Sequence, residues 1–292
     1  MLSVKKSPHA GGPTDNSVRL RLLGGFSAVA GQENPCPIDI SSPRHRALLS
    51  YLALRPDYSE SRERLVALLW GDNPEADARK RFRQSLLRLR RELESAGVDL
   101  LISGRDTLSL NPAIVTVDAR ELAALSGDAS GDDLAIASTL YGGDLLDGLS
   151  LEAESFDTWL NQERARFRAI AAQVFERCIH AREQSGDADG AILAAERLVA
   201  LDPPNEEPQR QLIDLLARHR GRTAALAQAE TARRVVSEEF DSKLEPETAQ
   251  LIEKLKSSAT MVRPARLATD RASHSEQLPA AELGIAACSG DR

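Results

Sequence analysis

Positive charge is concentrated between residues 79 and 91. Seven of these thirteen side chains are Lys or Arg, and none is acidic. Like charges three and four residues apart on a helix repel each other and destabilise it, so we expect an external anion to compensate for them. Nucleic-acid phosphates are suitable partners, because neutralising them releases condensed counterions and so drives association. The residue types therefore favour contact with a polyanion over a merely solvated face.

The same segment has an apolar side when it is drawn as a helix. Its apolar row, within about 40° on the helical wheel, consists of Phe82, Leu86, Leu89 and Leu93. The opposite side carries donors that suit phosphates and base edges, Arg for guanine and Gln for adenine. We predict that the DNA-contacting side chains there are Lys80, Arg83, Gln84, Arg88 and Arg91.

Three other residues are candidates for contact with DNA, Arg105 as the DNA-binding residue of the wing. Arg105 lies in the turn of a predicted hairpin, where it could reach the minor groove or the backbone, or be a solvated turn residue. Arg44 and His45 lie near the start of a predicted helix, where they could touch phosphates or have an exposed structural role.

The elements around the basic segment follow a recognisable order. Val18, Leu20 and Leu22 alternate with arginines, which is typical of a strand with one buried face, and further short extended pieces reach residue 40. A small antiparallel sheet is the natural interpretation. Helices are predicted to begin at Ser42-Pro43, Ser61 and Asn73-Pro74, because Ser and Asn are good caps and Pro suits the first helical position.

The third helix is predicted to run to about Ser95, with Gly97 as its stop. Two extended segments, 100–103 and 107–110, then form a hairpin, and a further one follows at 114–117. This order predicts a winged helix-turn-helix with an N-terminal antiparallel sheet and a C-terminal hairpin wing.

From residue 119 onward the pattern predicts mainly helices. A small-residue repeat supports a tetratricopeptide-like, all-α arrangement, because Gly186, Gly190 and Ala194 recur 35 residues later as Gly221, Ala225 and Ala229. The predicted helices are approximately 152–184, 188–201, 206–219, 222–239 and 247–256. The predicted organisation is therefore a disordered N-terminus (1–17), a winged-helix domain (18–118), a helical domain (119–256) and a disordered tail (257–292).

Charge divides between the two halves. Residues 1–125 carry a net charge of +3 and residues 126–292 a net charge of −10, so the chain's total of −7 does not argue against nucleic acid. No apolar stretch reaches the ~18–20 residues of a membrane span, and the N-terminus lacks the apolar core of a signal peptide. We expect a cytoplasmic protein without membrane association.

Other kinds of site find little support. The histidines are scattered, no CxxC, HExxH or phosphate-binding glycine loop is present, and paired carboxylates occur only at helix-surface spacings. Asp187 and Asp189 resemble the start of a calcium loop, but Ala191 and Leu198 stand where later ligands are needed. We therefore expect no enzyme, no cofactor and no metal, with the aspartates in a turn between paired helices.

The sequence resembles the Streptomyces antibiotic regulatory protein (SARP) family over about residues 18–256. Residues 19–26, 47–54 and 68–72 look like an OmpR-type winged helix, and residues 85–93 match its recognition-helix pattern. The segment from Leu140 through Trp159 to about Leu255 looks like the bacterial transcriptional activator domain (BTAD). The resemblance implies binding to double-stranded promoter DNA, often as dimeric or tandem units, and activation through RNA polymerase.

A different class of function remains open at this point. The acidic helical half could present binding grooves as an interaction adaptor, with the basic helix holding an acidic protein instead of DNA.

Overall fold

A computed structural model describes residues 16–127, 131–241 and 243–257. The segments predicted to be disordered, 1–17 and 257–292, therefore lie almost entirely outside the described residues. At their inner ends, the Ser17 carbonyl accepts a hydrogen bond from the Gly31 N–H at 2.8 Å, and Ser257 is the last residue of a helix.

The N-terminal sheet contains a parallel strand beside the predicted antiparallel ones. Strands β1 (Val18–Arg21), β2 (Ser27–Ala30) and β3 (Cys36–Pro37) are antiparallel neighbours. Strand β7 (Val115–Val117) joins the other edge of β1 in parallel, giving the order β3-β2-β1-β7. The chain therefore returns to β1 just before the helical half begins.

Three helices follow the first three strands, as predicted: α1 (Pro43–Leu54), α2 (Arg62–Trp70) and α3 (Glu75–Ser95). Ser61 caps α2, because its hydroxyl accepts the Arg64 N–H at 3.2 Å. The prediction that Asn73 caps α3 is wrong. Pro74 occupies the cap position, and the Asn73 amide turns back to donate to the Trp70 carbonyl at 3.3 Å.

The predicted hairpin forms a wing of three strands. β5 (Leu101–Ser103) and β6 (Thr107–Leu110) are antiparallel, and β4 (Ser59–Ser61) pairs with the other side of β6. Since β4 immediately precedes α2, the wing is attached at the start of that helix.

The helical half contains α4 (Asp118–Leu125), α5 (Gly131–Leu140), α6 (Glu154–Ser185), α7 (Ala188–Leu201), α8 (Glu206–His219), α9 (Arg222–Phe240) and α10 (Pro246–Ser257). The five helices whose residue ranges were predicted are confirmed within two residues at each end. This is the normal uncertainty of helix boundaries. Gly186 and Gly221 share a role, because both have positive φ in the turn before the second helix of a pair. No described helix combines the length and apolar character needed to cross a bilayer.

Backbone hydrogen bonds join the winged-helix part to the helical part. The Gly24 N–H donates to the Asp144 carbonyl at 3.0 Å, and the Leu146 N–H donates to the Leu22 carbonyl at 2.7 Å. A Cβ on Gly24 would lie 2.8 Å from the carbonyl carbon of Gly142, and Gly24 has a φ of +87°. Glycine is therefore required there for two reasons, close approach and backbone conformation.

A buried carboxylate completes this junction. Asp118 accepts N–H groups of Leu22 at 2.8 Å, Leu23 at 3.1 Å and Ala119 at 2.7 Å. Burial raises the pKa of Asp118, against the opposing effect of these three hydrogen bonds. One carboxylate thus binds the end of β1 to the start of α4.

Side chains extend the contact between the two halves. Tyr51 of α1 and Trp159 of α6 pack edge to face with ring centroids 4.9 Å apart. Arg120 of α4 donates to the carbonyls of Arg55 and Pro56 at the end of α1. As a result, one continuous set of buried apolar side chains runs from β1 into α8.

Gly24→Ala is expected to lower the unfolding free energy by about 2 kcal/mol or more, because it adds strain at positive φ and a clash with Gly142. Urea unfolding followed by circular dichroism measures this loss. Gly127→Ala is the matched control, since an added Cβ there meets no described atom within 4 Å. Equal stability of the Gly24 variant and the parent would contradict the tight junction.

The stability that Asp118 contributes is expected to depend on pH. With its folded pKa raised above the ordinary value of about 3.9, folded Asp118 holds a proton longer than the unfolded chain does. The unfolding free energy of the parent relative to Asp118→Asn should therefore decrease as pH rises from about 4 toward neutral. Urea titrations at several pH values test this, and a difference that grows with pH would contradict it.

Candidate nucleic-acid interface

Helix α3 is held by one apolar face. The predicted row Phe82, Leu86, Leu89 and Leu93 is buried, together with Ala78. Phe82 packs edge to face against Trp70 of α2, with centroids 5.6 Å apart. These contacts fix the rotation of α3 about its axis and so decide which side chains face solvent.

A polar contact fixes the C-terminal half of α3. The Glu92 carboxylate accepts the Ser41 hydroxyl at 3.0 Å and lies 2.8 Å from Nδ1 of His45. His45 is buried, so the interpretation of it as a phosphate contact or an exposed structural residue is wrong. Arg44 is also engaged inside the protein, because its Nε donates to the Leu69 carbonyl at 3.2 Å and its guanidinium lies over the Trp70 ring.

The predicted contact residues lie together on the solvent side of α3. All five are exposed, and none of their side chains has a hydrogen bond or ion pair to another residue within the described ranges: Lys80, Arg83, Gln84, Arg88 and Arg91. Leu87 is 60% exposed beside them. The structure therefore presents a donor surface opposite the buried row, as the helical wheel predicts, and the exposed Leu87 adds an apolar contact to it. Contact of these residues with DNA stays a prediction.

The seven basic residues of this segment divide by what they touch. Arg79 pairs with Glu75 at 2.6 Å, four residues earlier. Arg90 turns toward the wing and donates to the Ser103 hydroxyl. Arg81 was not in the predicted set, yet it is exposed and has no partner among the described residues. Its position two turns before Arg88, on the same side of the helix, could have identified Arg81 as exposed from the sequence.

Arg105 is exposed at the turn of the wing, as predicted. The wing lies beside α3. Arg83 of α3, Arg62 of α2 and Asp106 of the wing turn line one cavity of about 560 Å³. The turn residue and the basic surface are thus parts of one side of the molecule.

The helical half has a groove between α6, α7 and α8. It has a volume of about 790 Å³, with Ala165, Ala169 and Ala172 along the α6 side. Carboxylates also line it: Glu176, Asp202 and Glu207. Arg168 lines it as well, so the groove combines small apolar residues with three carboxylates and one arginine.

The aspartates that resemble a calcium loop serve a helix turn. Asp187 accepts the Gly190 N–H at 2.9 Å and pairs with Arg182 at 2.6 Å, so it caps α7. These two contacts hold the pKa of Asp187 below its ordinary value. Among the described residues, no three His, Cys, Asp or Glu side chains are grouped as a metal site.

Known sequences similar to this chain include one domain family and two regulatory proteins. Residues 113–256 match the family described as the bacterial transcriptional activator domain. Regulatory protein AfsR of Streptomyces griseus is 28% identical over 259 residues, covering 86% of this chain and 26% of AfsR. Transcriptional regulatory protein MoaR1 of Mycobacterium tuberculosis is 26% identical over 218 residues, covering 68% of this chain and 67% of MoaR1. The chain thus spans about a quarter of the length of AfsR.

Comparison with solved structures supports the fold. Mycobacterium tuberculosis EmbR, solved in complex with a low-affinity phosphopeptide, superposes with a TM-score of 0.56 at 19% identity. The match covers 82% of this chain and 65% of the EmbR chain. The small sheet followed by a helical domain is therefore a shared architecture. Together, the activator-domain match over residues 113–256 and the likeness to these two regulators support the resemblance of this chain to SARP-type transcriptional regulators.

Proposed function

We propose that this regulator binds promoter DNA through α3 and the wing and activates transcription through its helical half. The observation that carries the proposal is the exposed donor surface of α3, whose arginines and lysine have no partner among the described residues. Like charges that are not neutralised lower the stability of a helix. Duplex phosphates would neutralise them, and the release of counterions would favour binding.

The geometry of α3 suits a duplex. A helix of 21 residues is roughly 32 Å long, enough to lie across a major groove. Glu75 and Asp77 in its first turn would repel phosphate, so the centre of the helix approaches DNA most closely. In this arrangement Gln84 and the arginines reach base edges and backbone, and Arg105 reaches the minor groove or flanking backbone.

The two halves then have different tasks. We assign residues 18–118 to DNA and residues 119–256 to contact with RNA polymerase or with a second copy on a tandem site. The net charge of −10 on residues 126–292 disfavours contact of that half with phosphates. The proposal places the chain in the cytoplasm with its promoters, and assigns it no catalytic step, cofactor or metal.

A second candidate function is an interaction adaptor. The groove on the helical half supports it, since alanines and three carboxylates fit a basic polypeptide segment. In that case the basic helix would bind an acidic protein. Binding to duplex DNA at physiological salt separates the two functions.

Arg88→Ala combined with Arg91→Ala is expected to weaken duplex binding at least tenfold and to reduce the salt slope of log affinity by about 1–2. The probe is a duplex enriched from a random-sequence pool by the parent chain, measured by gel shift at several salt concentrations. Arg166→Ala with Arg233→Ala is the matched control, because it removes the same charge from exposed helical-half pairs.

Unchanged affinity and slope in the α3 double variant would refute the assignment of this surface. Failure of the parent to retard any duplex, even at low salt, would favour the adaptor instead.

Gln84→Ala is expected to change sequence preference without changing the salt slope, because glutamine reads a base edge but carries no charge. Loss of a bidentate adenine contact should reduce discrimination at one base pair by about 1–3 kcal/mol. Repeating the random-sequence selection with the variant measures this. An identical preferred sequence would show that Gln84 does not read a base.

A further inference from the structure

The hydroxyl of Ser103, at the end of wing strand β5, accepts hydrogen bonds from two arginines on two different helices. Nη2 of Arg62, at the start of α2, lies 3.0 Å from it, and Nη2 of Arg90, in α3, is also within hydrogen-bond distance. A hydroxyl oxygen has two lone pairs, so it can accept both. One small side chain of the wing is therefore joined to the two helices beside it.

Arg62 also holds the other end of the wing turn. Its backbone N–H donates to the Asp106 carbonyl at 2.9 Å, while its guanidinium reaches Ser103 on the opposite side. The three residues between the wing strands, 104–106, are thus fixed at both ends by a single residue. Arg105 stands in the middle of this turn with its side chain exposed.

These two arginines are half-buried, which distinguishes them from the exposed donors of α3. The Nε atoms of Arg62 and Arg90 are buried and have no hydrogen-bond partner, whereas Arg88 and Arg91 are exposed. A buried N–H without a partner is unfavourable, so their contacts to the wing come at a cost that a freely solvated arginine would not incur. Arg90 therefore differs in role from its basic neighbours.

We propose that Arg62, Arg90 and Ser103 form a clamp that positions the wing, and with it Arg105, for contact with DNA. The clamp acts on an edge strand, because β5 has a neighbouring strand on one side only in the order β4-β6-β5. Fixing the turn before binding reduces the ordering cost that each wing contact would otherwise carry. This inference rests on the proposed DNA-binding function, and it makes these three positioning residues, not direct contacts.

The test uses the full chain and one 30-bp duplex enriched from a random pool by the parent. Ser103→Ala removes the acceptor without changing charge, so affinity should fall about three- to tenfold while the salt slope stays that of the parent. Ser103→Thr keeps the hydroxyl and suits a strand, so it should restore binding. Circular dichroism melts of both variants establish that the fold is retained.

A double-mutant cycle with Arg105→Ala separates positioning from general destabilisation. Arg105→Ala should weaken binding clearly in the parent and much less in the Ser103→Ala chain, because an unpositioned wing has less contact to lose. Parent-like affinity of Ser103→Ala, or additive effects of the two substitutions, would overturn the clamp while leaving DNA binding intact. Absence of duplex binding by the parent would instead overturn the proposed function, and the clamp with it.

Discussion

The buried carboxylate of Asp118 is the interaction on which the arrangement of this molecule depends. It accepts three backbone N–H groups, two at the end of β1 and one at the start of α4. Without it these donors would be buried and unsatisfied at the point where two halves meet. β7 pairs in parallel with β1 and ends immediately before Asp118. The sheet therefore places the carboxylate beside the end of β1. The adjoining glycines then allow backbone-to-backbone contact with the helical half.

This junction gives the basic helix a defined position relative to the rest of the chain. The continuous buried core and the Tyr51–Trp159 contact join the winged-helix part to α6, a helix of 32 residues. In the function proposed here one part holds DNA and the other a protein, and such a connection would let the geometry of one contact constrain the other. The groove between α6, α7 and α8 is joined to the same core, because Leu198 and Leu201, which line it, pack into that core.

Within α3, identical residue types have different tasks. Arg79 neutralises Glu75, Arg90 reaches the wing, and the remaining basic side chains are exposed without protein partners in the described ranges. The difference follows from angle around the helix. Arg90 points toward the wing and finds an acceptor there, and Arg79 finds Glu75 one turn earlier in α3, whereas the side chains opposite the Phe82 row face open solvent. A count of basic residues in the sequence therefore overstates how many of these side chains are available to a polyanion.

Local pattern by itself determined most of the helices and strands and the basic face of α3, but not the three-residue strand β4. Periodicity of apolar residues, caps such as Ser61 and stops such as Gly97 act over only a few residues, so they can be recognised from the local sequence. Only the tertiary structure decided the parallel placement of β7, the burial of His45 against Glu92 and the close approach of Gly24 to Gly142. It also decided that Arg90 binds Ser103 whereas Arg81 stays exposed. Each of these depends on residues distant in the chain or on the exact rotation of a packed helix, which no local pattern specifies.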